Sequence, residues 1–153
     1  MRSVLQRVVA ARVVVGDEVV GEIGPGLVAL VGVTHGDGPD QVAQTVRKIA
    51  GLRVMPGETS VLDGGAVLVV SQFTLYADTR KGRRPSWGAA APGPVAEPLV
   101  SAVAEGLRQL GVEVATGRFG ADMRVDVHGD GPVTILLDVP PAEDAEEGGR
   151  RTP

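Results

Sequence analysis

A short polar segment follows an apolar run near the middle of the chain. Residues 67–70 are Val, Leu, Val and Val, and they follow a turn at Gly64 and Gly65, which is the pattern of a strand covered on both faces. The polar segment is Ser71, Gln72, Phe73 and Thr74. Because burying an unpaired hydroxyl or amide is costly, these side chains are expected to find partners. The pattern indicates a binding site at the end of a rigid strand, and it is also typical of a strand that surfaces into a turn.

Ser71 and Thr74 carry hydroxyls that could act as nucleophiles, and such a nucleophile needs a base close by. The chain has two histidines, His35 and His128, each in a segment that contains Gly and Asp. Nothing in the sequence brings either one to the hydroxyls, and a lone loop histidine is more often a surface residue. The sequence therefore disfavours a serine or threonine triad.

A second candidate is residues 128–134, His-Gly-Asp-Gly-Pro-Val-Thr. Gly-Asp-Gly-Pro is typical of a hairpin connection between two strands. Gly131 and Pro132 also stand at the start of the predicted last strand, and X-Pro bonds are the ones that can be cis. The segment is predicted as a turn, with a functional use of its carbonyls as the alternative.

Cationic side chains cluster just beyond the polar segment, at Arg80, Lys81, Arg83 and Arg84. They predict either a solvated loop or a phosphate contact beside a site. The formal net charge of −4 argues against a broad nucleic-acid-binding surface. The chain has no cysteine and no evident cluster of metal ligands, so neither a metal nor a cofactor is expected.

Hydrophobic periodicity predicts the elements that position these segments. Strands are expected at residues 2–9, 11–15, 18–23 and 27–33, arranged as an antiparallel meander. One helix is predicted from Pro39 to a cap at Gly51. A second is predicted at about residues 94–110, with Val95, Leu99, Val103, Leu107 and Leu110 on one face. Residues 53–62 are expected to form a short strand and a loop, and later strands are predicted at 113–115, 123–127 and 133–139.

Together these elements predict a mixed α/β domain, with a mainly antiparallel sheet and two helices packed on it. The single domain is expected to span residues 1–139. Residues 140–153 are rich in Pro, Gly and acidic residues and are expected to be a disordered tail. No secretory signal and no apolar run of about 20 residues is visible, so a cytoplasmic protein is expected.

Two of these segments resemble the signature motifs of the D-aminoacyl-tRNA deacylase family. They are Ser71-Gln72-Phe73-Thr74-Leu75 and Gly131-Pro132-Val133-Thr134, and the flanks at residues 6–8, 21–24, 84–86 and 116–123 resemble the family too. The resemblance covers about residues 1–139. The family's second motif usually begins with Asn two residues before the Gly-Pro, where this chain has Gly129.

The resemblance implies a barrel-like fold and a homodimer that hydrolyses the ester between a D-amino acid and the 3′-terminal adenosine of tRNA. It implies no membrane or DNA partner. It also implies a cis bond between Gly131 and Pro132, which reach into the pocket of the other subunit and exclude an L side chain. Glycine has no side chain to exclude, so glycyl-tRNA, including glycine mischarged on tRNA(Ala), is an expected substrate.

The resemblance implies catalytic roles for Ser71, Gln72, Phe73 and Thr74. In the family, backbone groups around Phe73 and Thr74 act with the ribose 2′-hydroxyl of the substrate. Candidates for contacts to the substrate or tRNA are Arg80, Lys81, Arg83, Arg84 and Thr134.

Two other functions stay open at this point. One is an editing module for mischarged L-aminoacyl-tRNA, against which Gly131 and Pro132 argue. The other is a non-enzymatic dimeric protein that binds RNA or has a structural role, which the altered Gly129 keeps open. Binding of tRNA without ester hydrolysis would favour the latter.

Overall fold

The computed structural model describes residues 1–142, and most of the predicted tail, residues 143–153, lies outside the described residues. The strands are β1 (Arg2–Val15), β2 (Glu18–Ile23), β3 (Gly26–Gly32), β4 (Ala66–Ser71), β5 (Glu113–Thr116) and β6 (Arg124–Asp138). The helices are α1 (Pro39–Gly51) and α2 (Gly93–Gln109), and short 3-10 turns occupy Val61–Asp63 and Phe73–Tyr76. None of the helices in this part of the chain is long and apolar enough to cross a membrane.

The 14-residue strand β1 organises the sheet, because it pairs antiparallel with three neighbours. Residues 2–8 pair with β3, residues 11–15 with β2, and most of the other edge with β6. Parallel pairs of β3 with β4 and of β4 with β5 extend the sheet in the order β2-β1-β3-β4-β5. The predicted meander is wrong: β2 covers only half of the long β1 edge, and β3 pairs with the half that is left.

Two strand breaks predicted from the sequence are also wrong. Residues 2–15 form one strand, and Arg124–Asp138 forms another, so no hairpin separates residues 123–127 from 133–139. Strand β6 instead stays paired with β1 and forms a β-bulge. Between the pairs Gln6–Thr134 and Val8–Gly129, residues 130–133 stand opposite Arg7 alone. We call these four residues the β6 bulge.

Strand β4 is covered on both faces, as predicted. Val67 and Val69 pack in the cluster shared with the helices, whereas Leu68 and Val70 pack in a second cluster inside the curved sheet. The sheet nearly closes, because β2 approaches β5 so tightly that a Cβ on Gly21 would lie 2.2 Å from the carbonyl oxygen of Thr116. The mixed α/β class, the barrel-like sheet and the two packed helices are confirmed.

The helices differ from prediction in detail. Gly51 is the last residue of α1 rather than its cap, and Leu52 takes the cap position. The predicted apolar face of α2 is partly wrong, because Val95 and Leu110 are about half exposed. Its buried residues are Ala96, Val103, Ala104 and Leu107. Residues 53–62 form no strand beyond a single bridge between Met55 and Thr59, since the chain turns tightly at Gly57 and Glu58, both at positive φ.

Candidate active site

The segment Ser71–Thr74 begins where β4 ends. Ser71 is the last residue of the strand and pairs with Val31 of β3. The Gln72 N–H still donates to the Val31 carbonyl at 2.8 Å, and the chain then enters the 3-10 turn Phe73–Tyr76. The Gln72 side-chain amide donates to the Thr74 hydroxyl. The half-buried side chains of Gln72 and Thr74 are therefore partners of each other.

A cavity of about 340 Å³ opens beside this turn. Ser71, Gln72 and Phe73 line one side, and Val31 and Val33 extend it along β3. Small and apolar residues of α2 and the preceding loop complete the lining, together with Trp87 and Phe119. Because β3 and β4 are parallel, the cavity lies beyond the carboxyl ends of two neighbouring strands, where open α/β sheets bind ligands. Ser71 also borders two smaller cavities of about 180 and 270 Å³, so it sits where the three meet.

The geometry does not activate a side-chain nucleophile. His35 Nε2 lies 2.9 Å from the carbonyl oxygen of Gly88, and His128 is exposed on β6 opposite Ala10. Within residues 1–142 neither imidazole hydrogen-bonds to Ser71 or Thr74. The available donors are backbone amides instead. Phe73 and Thr74 open the 3-10 turn, and the first N–H groups of a helical turn have no carbonyl partner within it.

Arg2 holds the turn from the first strand. Its Nη1 donates to the Leu75 carbonyl at 3.1 Å, and its guanidinium carbon lies 4.7 Å from the centre of the Tyr76 ring. Nη2 pairs with Asp138 at 3.3 Å. Sequence reasoning missed this contact, since a cation at position 2 of a strand carries no local signal of a partner 73 residues away.

The β6 bulge presents Gly131 and Pro132 to solvent, with a cis peptide bond between them. Gly131 has a φ of +126°, and a Cβ there would lie 2.7 Å from the Val133 nitrogen, so the position requires glycine. Arg7 braces the bulge. Its Nε lies 3.1 Å from Asp130 Oδ2, without hydrogen-bond geometry, and its Nη1 donates to the Val54 carbonyl at 3.0 Å.

Gly129 stands beside the bulge with open space where a side chain would project. A Cβ there would have no heavy atom of the described residues within 4 Å. Neither Gly131 nor Pro132 lines the cavity at Ser71, so one copy of the chain does not bring the two predicted motifs together. Thr134, also a predicted site residue, is exposed on β6 opposite Gln6.

The cationic cluster lies on an exposed loop closed by two backbone hydrogen bonds between Asp78 and Ser86, at 2.8 and 2.9 Å. The Arg80 guanidinium donates to both carboxylate oxygens of Asp78, at 2.9 and 2.6 Å. These bonds lower the pKa of Asp78 to about 2. Lys81, Arg83 and Arg84 form no ion pair with the described residues, so they carry the uncompensated charge of the loop.

Comparisons with known proteins bear on this site. A family model described as D-Tyr-tRNA(Tyr) deacylase matches residues 4–138. The D-aminoacyl-tRNA deacylase of Beutenbergia cavernae is 69% identical over 140 residues, which cover 90% of this chain and 99% of that protein. The D-aminoacyl-tRNA deacylase of Kineococcus radiotolerans is 65% identical with the same coverage of each chain.

Solved structures share the fold. A structure of the c-Myc DNA Unwinding Element Binding Protein superposes with a TM-score of 0.85 at 38% identity, covering 92% of this chain and 99% of that one. A probable eukaryotic D-amino acid tRNA deacylase superposes with a TM-score of 0.80, covering 90% and 98%. Its identity of 17% makes this second likeness one of fold alone.

Proposed function

The chain belongs to the D-Tyr-tRNA(Tyr) deacylase family, and from that membership we propose how its site acts as a D-aminoacyl-tRNA deacylase. The observation that carries the proposal is the cavity lined by Ser71, Gln72 and Phe73, the residues of the family's first motif. The 3′-terminal adenosine of tRNA enters this cavity with its D-aminoacyl ester next to the 3-10 turn. The reaction is hydrolysis of that ester, which releases the free D-amino acid and tRNA.

The turn acts through its backbone. As water attacks the ester carbonyl, negative charge develops on the carbonyl oxygen, and fixed amide donors at Phe73 and Thr74 stabilise it. The bond between the Gln72 and Thr74 side chains supports this proposal, because it holds the turn in one conformation. The ribose 2′-hydroxyl of the substrate assists, and an aminoacyl ester is reactive enough for positioning and oxyanion stabilisation to suffice.

Chiral selectivity requires a second copy of the chain in this proposal. Gly131 and Pro132 of one subunit enter the cavity of the other, and their carbonyls occupy the space that an L side chain would need. Their exposure and their absence from their own cavity support this arrangement. On the same strand, Leu136 is 76% exposed, and an apolar side chain this exposed supports a surface that is covered in a homodimer.

Contacts to the rest of the tRNA come from the loop beside the cavity. Lys81, Arg83 and Arg84 are exposed and uncompensated, so we assign them to phosphates of the acceptor end. Arg80 contributes less, because Asp78 already binds its guanidinium. Thr134 is assigned to the subunit contact that brings the β6 bulge to the substrate.

The test is a side-by-side deacylation assay with D-Tyr-tRNA, L-Tyr-tRNA and glycyl-tRNA(Ala). We expect release of D-tyrosine and glycine with L-Tyr-tRNA left intact. Equal turnover of the two tyrosine enantiomers, or of neither, would contradict the proposal. Retention of tRNA on the protein without ester hydrolysis would support a nucleic-acid-binding protein instead.

A further inference from the structure

Two exposed aromatic rings lie at the mouth of the cavity. Phe73 is 55% exposed and Trp87 is 42% exposed, although the chain has only four aromatic residues. The ring centroids are 5.2 Å apart and the planes meet at 73°, an edge-to-face pair. The core therefore does not use these two side chains, and exposed apolar surface at a cavity mouth marks an interaction site. We call them the aromatic rim.

The backbone around Trp87 is tied down. Ser86 is bonded to Asp78 in both directions, and the Trp87 carbonyl accepts from the Ala90 N–H at 3.0 Å. The next two carbonyls are also engaged: the Thr34 hydroxyl donates to Ala89 at 2.6 Å, and His35 Nε2 lies 2.9 Å from that of Gly88. An indole held by ordered backbone loses little conformational entropy when a ligand stacks on it.

The rim stands between two features with different chemistry. The rings line the cavity at Ser71, and the exposed loop that leads into Trp87 carries Lys81, Arg83 and Arg84. A sequence of pocket, aromatic surface and cations is how proteins bind single-stranded nucleic acid, because bases stack on rings while cations contact phosphates. The single-stranded 3′ end of tRNA has the matching order of terminal nucleoside, preceding base and phosphates.

We propose that Phe73 and Trp87 stack on the base of the nucleotide that precedes the terminal adenosine of the tRNA. The inference rests on the proposed function, since it takes the cavity as the site of that adenosine. It adds a second nucleobase site at the mouth of the cavity and explains why two of the few aromatic side chains face solvent. It also implies that turnover depends on the nucleotide before the terminal adenosine as well as on the ester.

The kinetic test compares D-Tyr-tRNA with 3′-D-tyrosyl-adenosine, which lacks the preceding nucleotide. We expect Trp87→Ala to lower kcat/KM about 10-fold more on the tRNA than on the adenosine ester, a difference equivalent to about 1.4 kcal/mol. Trp87→Phe keeps an aromatic ring, so it should retain most of the wild-type ratio of kcat/KM on D-Tyr-tRNA to kcat/KM on the adenosine ester. Leu62→Ala is the matched control, since Leu62 is 51% exposed and does not line the cavity, and it should change both rates less than twofold. An equal loss on both substrates, or no loss on the tRNA, would overturn the proposal.

A binding test avoids any dependence on hydrolysis or on a variant that fails to fold. Trp87 is the only tryptophan of the chain, so intrinsic tryptophan emission reports on the rim alone. We expect the trinucleotide CCA to change this emission more than the same trinucleotide with an abasic middle position. Equal changes with the two ligands would overturn the stacking site. Failure of the wild type to hydrolyse either D-tyrosyl ester would instead contradict the proposed function, and the two failures are thus distinguishable.

Discussion

The segment at residues 71–74 and the β6 bulge are both proposed to face the reacting ester, yet the fold holds them in opposite ways. The first follows a strand buried on both faces, and Arg2 and the Val31 carbonyl fix the turn beyond it. The second leaves its strand partner for four residues, faces solvent, and is braced mainly by Arg7.

This difference separates the two tasks of the site. The wall proposed to position the ester lies within one chain, because its donors are the backbone of a turn anchored on the core. The wall proposed to discriminate between enantiomers does not line the cavity of its own chain, and in the proposed arrangement it acts only in a second copy. Substitutions in the bulge should therefore alter selectivity, whereas substitutions around the turn should alter rate.

The largest effect is expected for Gly131→Ala. The new Cβ would lie 2.7 Å from the Val133 nitrogen, at a φ of +126° that costs a non-glycine residue about 1–3 kcal/mol. We expect the ratio of D-Tyr-tRNA to L-Tyr-tRNA turnover to fall at least 10-fold, a larger change than Ser71→Ala produces. The two deacylation rates, measured in parallel, provide the check.

Gly129→Ala is the matched control on the same strand. Its Cβ would meet open space at an ordinary φ, so we expect a change in unfolding free energy within about 0.5 kcal/mol and an unchanged ratio. If Gly131→Ala keeps full selectivity, the bulge does not form the discriminating wall. If Gly129→Ala loses selectivity as well, the effect belongs to the strand as a whole.

The first wall could be predicted from the sequence because its signals are local. Four apolar residues in a row predict a strand covered on both faces, and the covering helices repeat their apolar residues at helical spacing. The hydroxyl and amide side chains that follow then mark a site, and the cavity at Ser71 lies there. Each of these signals lies within a short run of consecutive residues.

The second wall could be predicted only as a motif. Gly-Asp-Gly-Pro has the local pattern of a hairpin, but pairing with β1 along residues 2–14 keeps β6 continuous and converts the turn into a bulge. That pairing joins residues more than 100 positions apart, which no local pattern encodes. The contact of Arg2 with Leu75 is hidden for the same reason. By contrast, Asp78 and Arg80 are only two positions apart. Their ion pair, which neutralises part of the cationic cluster, could have been predicted from the sequence.

An intermediate effect is expected for Arg2→Met on the first wall. The change removes the hydrogen bond to the Leu75 carbonyl and the cation over the Tyr76 ring, which together hold the 3-10 turn. A combined contribution of about 1 kcal/mol from these two partly exposed contacts predicts a fall in kcat of about fivefold, with KM for D-Tyr-tRNA and the ratio of enantiomers nearly unchanged. Asp138→Asn is the control, because it removes only the exposed partner of Arg2. A rise in KM with constant kcat would show that Arg2 does not position the reacting ester.

The smallest effect concerns the loop that follows the first wall. The Arg80 guanidinium holds the pKa of Asp78 near 2, below the usual value of about 4. Since the folded-state pKa is depressed, the stabilisation is complete above pH 4 and is lost as the pH falls toward 2. We expect the Asp78 carboxyl to titrate near pH 2 by NMR in the wild type and to move toward 4 in Arg80→Gln, while Arg84→Gln leaves it in place. A wild-type midpoint near 4 would mean that Arg80 is free to contact phosphate, and the cationic cluster would then act as four charges rather than three.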